Sequence, residues 1–209
     1  MNEQILLVGD YEPLKISLDM DLAHVKNVIN RALKINNLND CLIQDVIVWL
    51  KEKELEALNR TYLTIRNRDL YFRKFTNAYY KYGTCYLLRY YPDEADIEIT
   101  QHLKVQGNAN GIINVLAHEV LHGILPPGVH HGSDFKYAMN VINDRLDINI
   151  RVRGIVGKVE KPKPKYQVYC PHCDRVLASY LRKCDKVNNP QDYRCKRCKG
   201  EVKVIINEP

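Results

Sequence analysis

The sequence predicts an α+β domain followed by a small β ribbon pinned by cysteines, and three observations carry that prediction. Apolar residues recur at helical spacing before residue 60 and again between about 108 and 146. β-branched and aromatic residues concentrate between Thr61 and Thr100, and two Cys-x-x-Cys pairs lie behind a Lys/Pro stretch near the C-terminus. At 209 residues the chain has room for one ordinary domain and one small one. Its 45% hydrophobic and 27% charged residues are the proportions of a globular protein, not of a disordered one.

Taken in order, Ile5–Val8 reads as a short strand, with a turn at Gly9-Asp10 and Pro13. Asp21 is placed to cap a helix reaching about Lys34, with Leu22, Val25, Ile29 and Leu33 on one face. Asn39 or Asp40 starts a second, in which Leu42, Val46, Trp49 and Leu50 repeat at helical spacing. The runs Tyr62–Ile65, Phe75–Tyr82, Cys85–Tyr91 and Ile97–Thr100, with turns at Tyr82-Gly83-Thr84 and Pro92-Asp93, predict a small antiparallel or mixed sheet. Asn108 or Asn110 caps a helix carrying Ile112, Ile113, Val115, Leu116, Val120 and Leu121, which stops before Pro126-Pro127-Gly128. A further helix begins after Ser133, with Phe135, Ala138, Met139, Ile142 and Leu146 on one face. Gly157 to Lys165 carries Lys and Pro without a hydrophobic period and reads as an extended linker. The expected organisation is a first domain over residues 1–155, whose N-terminal helical part is 1–58, a linker over 156–165 and a ribbon over 166–209.

Charge divides along the same line. Residues 1–150 hold 16 Lys+Arg against 19 Asp+Glu, a balance of −3, whereas residues 151–209 hold 15 against 6, or +9. Such an asymmetry predicts two modules with different partners. The N-terminus lacks the basic region and apolar length of a signal peptide, and no apolar run approaches the roughly 20 residues of a membrane span. No membrane partner is expected, and the expected location is cytoplasmic, including association with DNA or the nucleoid. Seven cysteines without an export signal read as thiolates or metal ligands before disulfides. Cys41, Cys85 and Cys184, outside the paired motifs, read as small buried hydrophobes.

The sequence His118-Glu119-Val120-Leu121-His122 lies on the second-to-last of these helices. Residues four apart on a helix sit one above the other, so the two imidazoles project toward one point and can share one Zn²⁺. Glu119 then stands beside the metal, where a carboxylate can take a proton from a zinc-acidified water. A catalytic site needs a third protein ligand, and His130 and His131 follow the Pro126-Pro127-Gly128 turn. The metzincin spacing is excluded, because it demands a His where Gly128 stands. A glutamate ligand would have to be Glu160 or Glu201, in the linker and the ribbon.

His118-Glu119-Val120-Leu121-His122 followed by His131-Gly132-Ser133-Asp134-Phe135 resembles the SprT-like, or Spartan-type, metalloproteases. Tyr82-Gly83-Thr84-Cys85 looks like that family's Gly-x-Cys strand, and Ile97–Leu103 like the strand leading to its active-site helix. The resemblance covers roughly residues 60–200. It implies a gluzincin-like protease fold, with His118, His122 and His131 as zinc ligands, Glu119 as general base and a protein substrate. It further implies, by analogy alone, substrates attached to DNA. The loop between His122 and His131, 8 residues long, is short for the family.

Cys170-Pro171-His172-Cys173 and Cys195-Lys196-Arg197-Cys198 have the spacing of two knuckles that complete a tetrahedral Cys₄ zinc site. Gly200 suits the left-handed turn of a knuckle. With two zinc sites, one catalytic and one structural, the ribbon's ion is expected to supply most of its folding energy. Arg194, Lys196, Arg197 and Lys199 are candidate phosphate contacts, with Tyr180 and Tyr193 available to stack on bases. The sequence therefore predicts a zinc endopeptidase. Its rival is a non-catalytic zinc protein that binds nucleic acid and keeps the metal site as a strut, in which Glu119 would have no task.

Overall fold

A computed structural model describes residues 14–79, 81–106, 108–152 and 163–207. The expected strand Ile5–Val8 with its Gly9-Asp10-Pro13 turn, and most of the Lys/Pro linker, lie outside these. The chain divides into two compact units, Met1–Val159 and Glu160–Pro209. Helices and two small sheets make it an α+β protein.

Three helices of the first unit start where an asparagine or aspartate satisfies an orphan N–H. Asp21 accepts from His24 N–H at 2.8 Å and opens α1 (Leu22–Lys34). Asn39 accepts from Leu42 N–H at 2.9 Å and opens α2 (Asp40–Leu58). A three-stranded mixed sheet follows, of β1 (Asp69–Thr76), β2 (Gly83–Leu87) and β3 (Glu94–Thr100). β3 is central, parallel to β1 and antiparallel to β2. A short α3 (His102–Gln106) leads to α4 (Ala109–Ile124), capped by Asn108 accepting from Gly111 N–H at 2.8 Å. α5 (Ser133–Leu146) completes the unit.

The predicted strands differ from the observed ones in ways the contacts explain. Tyr62–Ile65 forms no strand: Thr61 turns its hydroxyl back onto Leu58 C=O at 2.8 Å, and Leu63 and Ile65 pack against the core from an irregular segment. β1 begins at Asp69, well before the run predicted from Phe75. Its charged residues Arg73 and Lys74 break the apolar pattern because they meet the buried Glu98 at 3.3 and 3.6 Å. The free edge of β1 is satisfied by α2: Gln44 donates to Leu70 C=O at 2.8 Å and accepts from Phe72 N–H at 2.6 Å.

The core joins both faces of α4 to α2 and to the inner face of the sheet, through Ile43, Ile47, Leu50, Ile97, Ile99, Ile113, Leu116 and Val120. Arg68, 1% exposed, holds the far end of α4. It donates to Gly123 C=O at 2.5 Å and Leu125 C=O at 2.9 Å, two carbonyls the helix leaves unpaired, and to Pro92 C=O at 2.7 Å. Its guanidinium thus locks the C-terminus of α4 to the β2–β3 turn. No helix among the described residues is long and apolar enough to cross a membrane.

The second unit is a three-stranded antiparallel sheet in which β4 (Tyr166–Cys170) lies between β5 (Arg175–Tyr180) and β6 (Lys203–Ile206). A one-turn α6 (Asp185–Asn188) and a 3₁₀ turn at Pro190–Asp192 fill the long connection. Its buried core is confined to Tyr166, Val168, Cys170, Val187, Cys195 and Val202. So small a core needs a staple.

Candidate metal centres and cleft

α4 is apolar on nearly every side, and its one polar stripe faces a cleft. Asn114, His118 and His122 are spaced by four residues and line one cleft of about 750 Å³. The turn after α4 returns the chain so that His131 meets them. Its Nε2 lies 3.1 Å from His118 Nε2 and 3.0 Å from His122 Nε2. His131 and not His130 joins this group, in which all three ligand atoms lie within 4.8 Å of one another. His130 only lines the cleft.

Phe135, fully buried at the start of α5, explains the residue pattern after His131. Its ring centroid lies 5.0, 4.5 and 4.9 Å from those of His118, His122 and His131, so one aromatic side chain backs all three imidazoles.

The electrostatics suit a cation. Burial, then the proximity of His131, pushes His118 down to about 4; the Arg151 backbone opposes this slightly, although the buried Nδ1 makes no well-formed hydrogen bond. Burial, then His118 and His131, takes His122 down to about 3. His131 is lowered by burial and by His130. The rings are therefore neutral at pH 7, with lone pairs available. Three neutral imidazoles at this separation cannot satisfy one another with the protons they carry. Tetrahedral ligands 2.0–2.1 Å from one ion stand about 3.3–3.4 Å apart, close to the spacing observed. The donor set fits Zn²⁺.

Glu119 lines the same cleft and is not one of the three clustered donors. It is 6% exposed, and burial pushes its carboxyl up to about 7 against the pull of Lys81 and the Cys85 backbone N–H. β2 is built around it. A Cβ on Gly83 would fall 2.6 Å from both Cγ and Oε1 of Glu119, so this strand position admits only glycine with the carboxylate where it stands. Cys85 lies beside it with its thiol raised to about 12, chiefly by burial and then by Glu119, which makes it an inert wall. The sequence motif marked Gly83 and Cys85, but nothing in it revealed that they seat Glu119.

β2 also borders the cleft with an open edge. Thr100 N–H reaches Tyr82 C=O at 2.8 Å and Leu88 N–H reaches Glu94 C=O at 3.5 Å, so the even-numbered residues of this strand bond to β3. The backbone groups of Gly83, Cys85 and Leu87 are directed the other way, and all three residues line the cleft.

In the second unit Cys170, Cys173, Cys195 and Cys198 converge. Sγ of Cys170 lies 3.6 Å from that of Cys198, and Cys173 Sγ 3.8 Å from Cys195 Sγ. Four sulfurs about 2.3 Å from one zinc ion would stand roughly 3.8 Å apart. Backbone N–H groups of Cys173 and Gly200 point at Cys170 and Cys198 sulfurs, both at 3.4 Å. The left-handed positions of the two knuckles are Asp174 (φ 50°) and Lys199 (φ 60°), not Gly200 as expected from sequence. Gly200 is needed for another reason: its Cβ would press on Cys198 Sγ at 3.2 Å.

Of the predicted phosphate contacts, Lys196, Arg197 and Lys199 are exposed on the second knuckle. Arg194 is instead engaged with Gln191 C=O at 2.7 Å, Tyr193 C=O at 3.0 Å and Glu201 at 3.9 Å. Tyr180 and Tyr193 pack partly against the ribbon core, and Tyr193 bonds Asp185, so neither is the free stacking platform expected.

Fold and sites together define an α+β protein with, among the described residues, two groups able to hold a metal ion, one of three histidines and one of four cysteines. Residues 52–154 match the family described as SprT-like, so the chain carries a SprT-like domain over that segment. The match contains all three histidines and Glu119, and it leaves out α1 and the ribbon. No curated protein and no solved structure matches the chain.

Proposed function

We propose that this protein is a zinc-dependent endopeptidase of the SprT-like type, with a gluzincin-like catalytic domain over residues 1–155, a linker over 156–165 and a zinc ribbon over 166–209. One observation carries the reading: three neutral imidazoles converge beside a buried carboxylate, at an open strand edge. His118, His122 and His131 would hold the catalytic ion. Bound there, Zn²⁺ supplies Lewis acidity and brings a water's pKa to about 7. Glu119, its carboxyl held near 7 by burial, would take a proton from water and return it to the departing amine. The outward N–H and C=O groups of Gly83 and Leu87 can bind an extended peptide as an added strand, holding its backbone against the site.

Glu119→Gln tests this, because the amide keeps the shape and cannot take a proton. Zinc-loaded wild type should cleave casein or a DNA-bound protein, and the variant should lose activity by at least about a hundredfold while keeping its zinc. Equal activity, or an inert wild type with and without DNA, would sink the proposal.

The ribbon favours DNA-associated substrates in the cytoplasm or nucleoid. Residues 151–209 carry +9 before the metal, and Lys196, Arg197 and Lys199 have no carboxylate partner among the described residues. Truncation after Lys161 should weaken DNA retention in a salt-dependent manner; unchanged retention would remove this part of the reading.

A further inference from the structure

The cleft has a charge of its own. Lys81, just before β2, and Arg151, beyond α5, both line it and are exposed. Neither has a carboxylate within ion-pair distance among the described residues. Of the other cations of the unit, Lys51 meets Asp69 at 3.5 Å, and Arg73 and Lys74 meet Glu98.

Arg151 is held in place rather than free to wander. Its Nε donates to Asn149 Oδ1 at 3.3 Å, and Asn149 N–H donates to Asn114 Oδ1 at 3.0 Å, on the turn of α4 preceding His118. Among the described residues the only carboxylate lining the cleft is Glu119, sunk to 6% exposure. A ligand entering therefore meets two cations and no accessible anion, although residues 1–150 carry −3 overall. Opposite charges at an exposed site gain up to about fivefold in affinity per pair, and like charges lose a similar amount.

Resting on the endopeptidase reading, we propose that the cleft selects extended polypeptide segments with acidic side chains flanking the scissile bond, Lys81 and Arg151 being the selecting residues. A peptide suits this cleft better than a nucleic acid, because the edge of β2 offers the N–H and C=O groups of Gly83 and Leu87, which pair with another peptide backbone and not with a phosphodiester chain. Side chains leaving such a strand on either side are what the two cations can reach.

The test uses the zinc-loaded full chain and three fluorogenic peptides that differ only in carrying Glu, Gln or Lys on both sides of one central sequence. The expected order of kcat/KM is Glu, Gln, Lys, with about a fivefold step for each cation engaged, shrinking at about 0.5 M salt. Anisotropy binding of the same peptides to the Glu119→Gln protein should give the same order without turnover. Placed in the Glu119→Gln protein, Lys81→Glu and Arg151→Glu should each flatten or invert that binding order. Equal kcat/KM for the three peptides with casein cleaved overturns this proposal and leaves the endopeptidase reading standing. An unchanged order in the charge-reversed proteins, or a loss confined to oligonucleotide affinity, also overturns it. Hydrolysis of nothing, with the binding order intact, sinks the endopeptidase reading and keeps the acidic-peptide site.

Discussion

Replacing Gly83 by alanine should disable Glu119 without touching any metal ligand. The new methyl would stand 2.6 Å from Glu119 Cγ and Oε1 and 2.9 Å from Cδ, whereas ordinary contact begins at 3.4 Å. Something must retreat by at least about 0.8 Å, the difference between those distances. β2 is fixed to β3 on its inner edge and Glu119 is buried, so the carboxylate yields first. A displacement near 1 Å in a positioned group costs about a hundredfold in rate. Gly83→Ala should therefore lower kcat on casein or a peptide by roughly that factor, with zinc content and melting temperature close to wild type. The His cluster is untouched, so KM should change much less than kcat. Full activity in a folded, zinc-loaded Gly83→Ala protein would refute the reasoning: the glycine would then have nothing to do with seating the general base.

Two further substitutions probe the frame around the site. Glu54 is fully buried on α2, neither carboxylate oxygen has a hydrogen-bond partner, and burial raises its pKa well above the usual glutamate value. A folded-state pKa raised above the unfolded one means the native state holds the proton longer, so stability falls as pH rises past about 4.5, the ordinary value. Glu54→Met should raise stability at neutral pH by about 1–3 kcal/mol, the usual cost of an unsatisfied buried polar group, and the gain should shrink as urea titrations move toward pH 4; a constant gain would contradict the titration argument. Arg68→Met should remove the clamp on Gly123, Leu125 and Pro92 carbonyls. A loss of about 3 kcal/mol is expected, or roughly 6–12 °C in melting temperature; a shift below 2 °C would mean the helix end finds other partners.

Much of this was legible before any coordinates. Asp21, Asn39 and Asn108 each cap the helix their position announced, because an Asx oxygen over an orphan N–H is a local event. The His-x-x-x-His spacing is likewise local, and the Phe four residues beyond His131 proved to be the shared backing of three rings. What escaped the sequence depends on long-range pairing. The start of β1 hides behind Asp69, answered by Lys51 on α2, and behind Arg73 and Lys74, answered by a glutamate on a strand two elements away. Arg68, between Asn67 and Asp69, reads as a solvated cation until α4 is laid against it. Gly83 announces a turn, while its real constraint is a carboxylate 36 positions later. Tyr62–Ile65 alternates like a strand, yet it pairs with no strand among the described residues.

The central claim, that His118, His122 and His131 grip one zinc ion while four cysteines hold another, is tested most directly by counting metal. Elemental analysis of the purified full chain should give two zinc ions per molecule. A His131→Ala protein that melts like wild type should give one, and that one should disappear on adding Cys198→Ser. Two ions still bound after the loss of His131, or a single ion in wild type that the histidine substitution does not affect, would contradict the account.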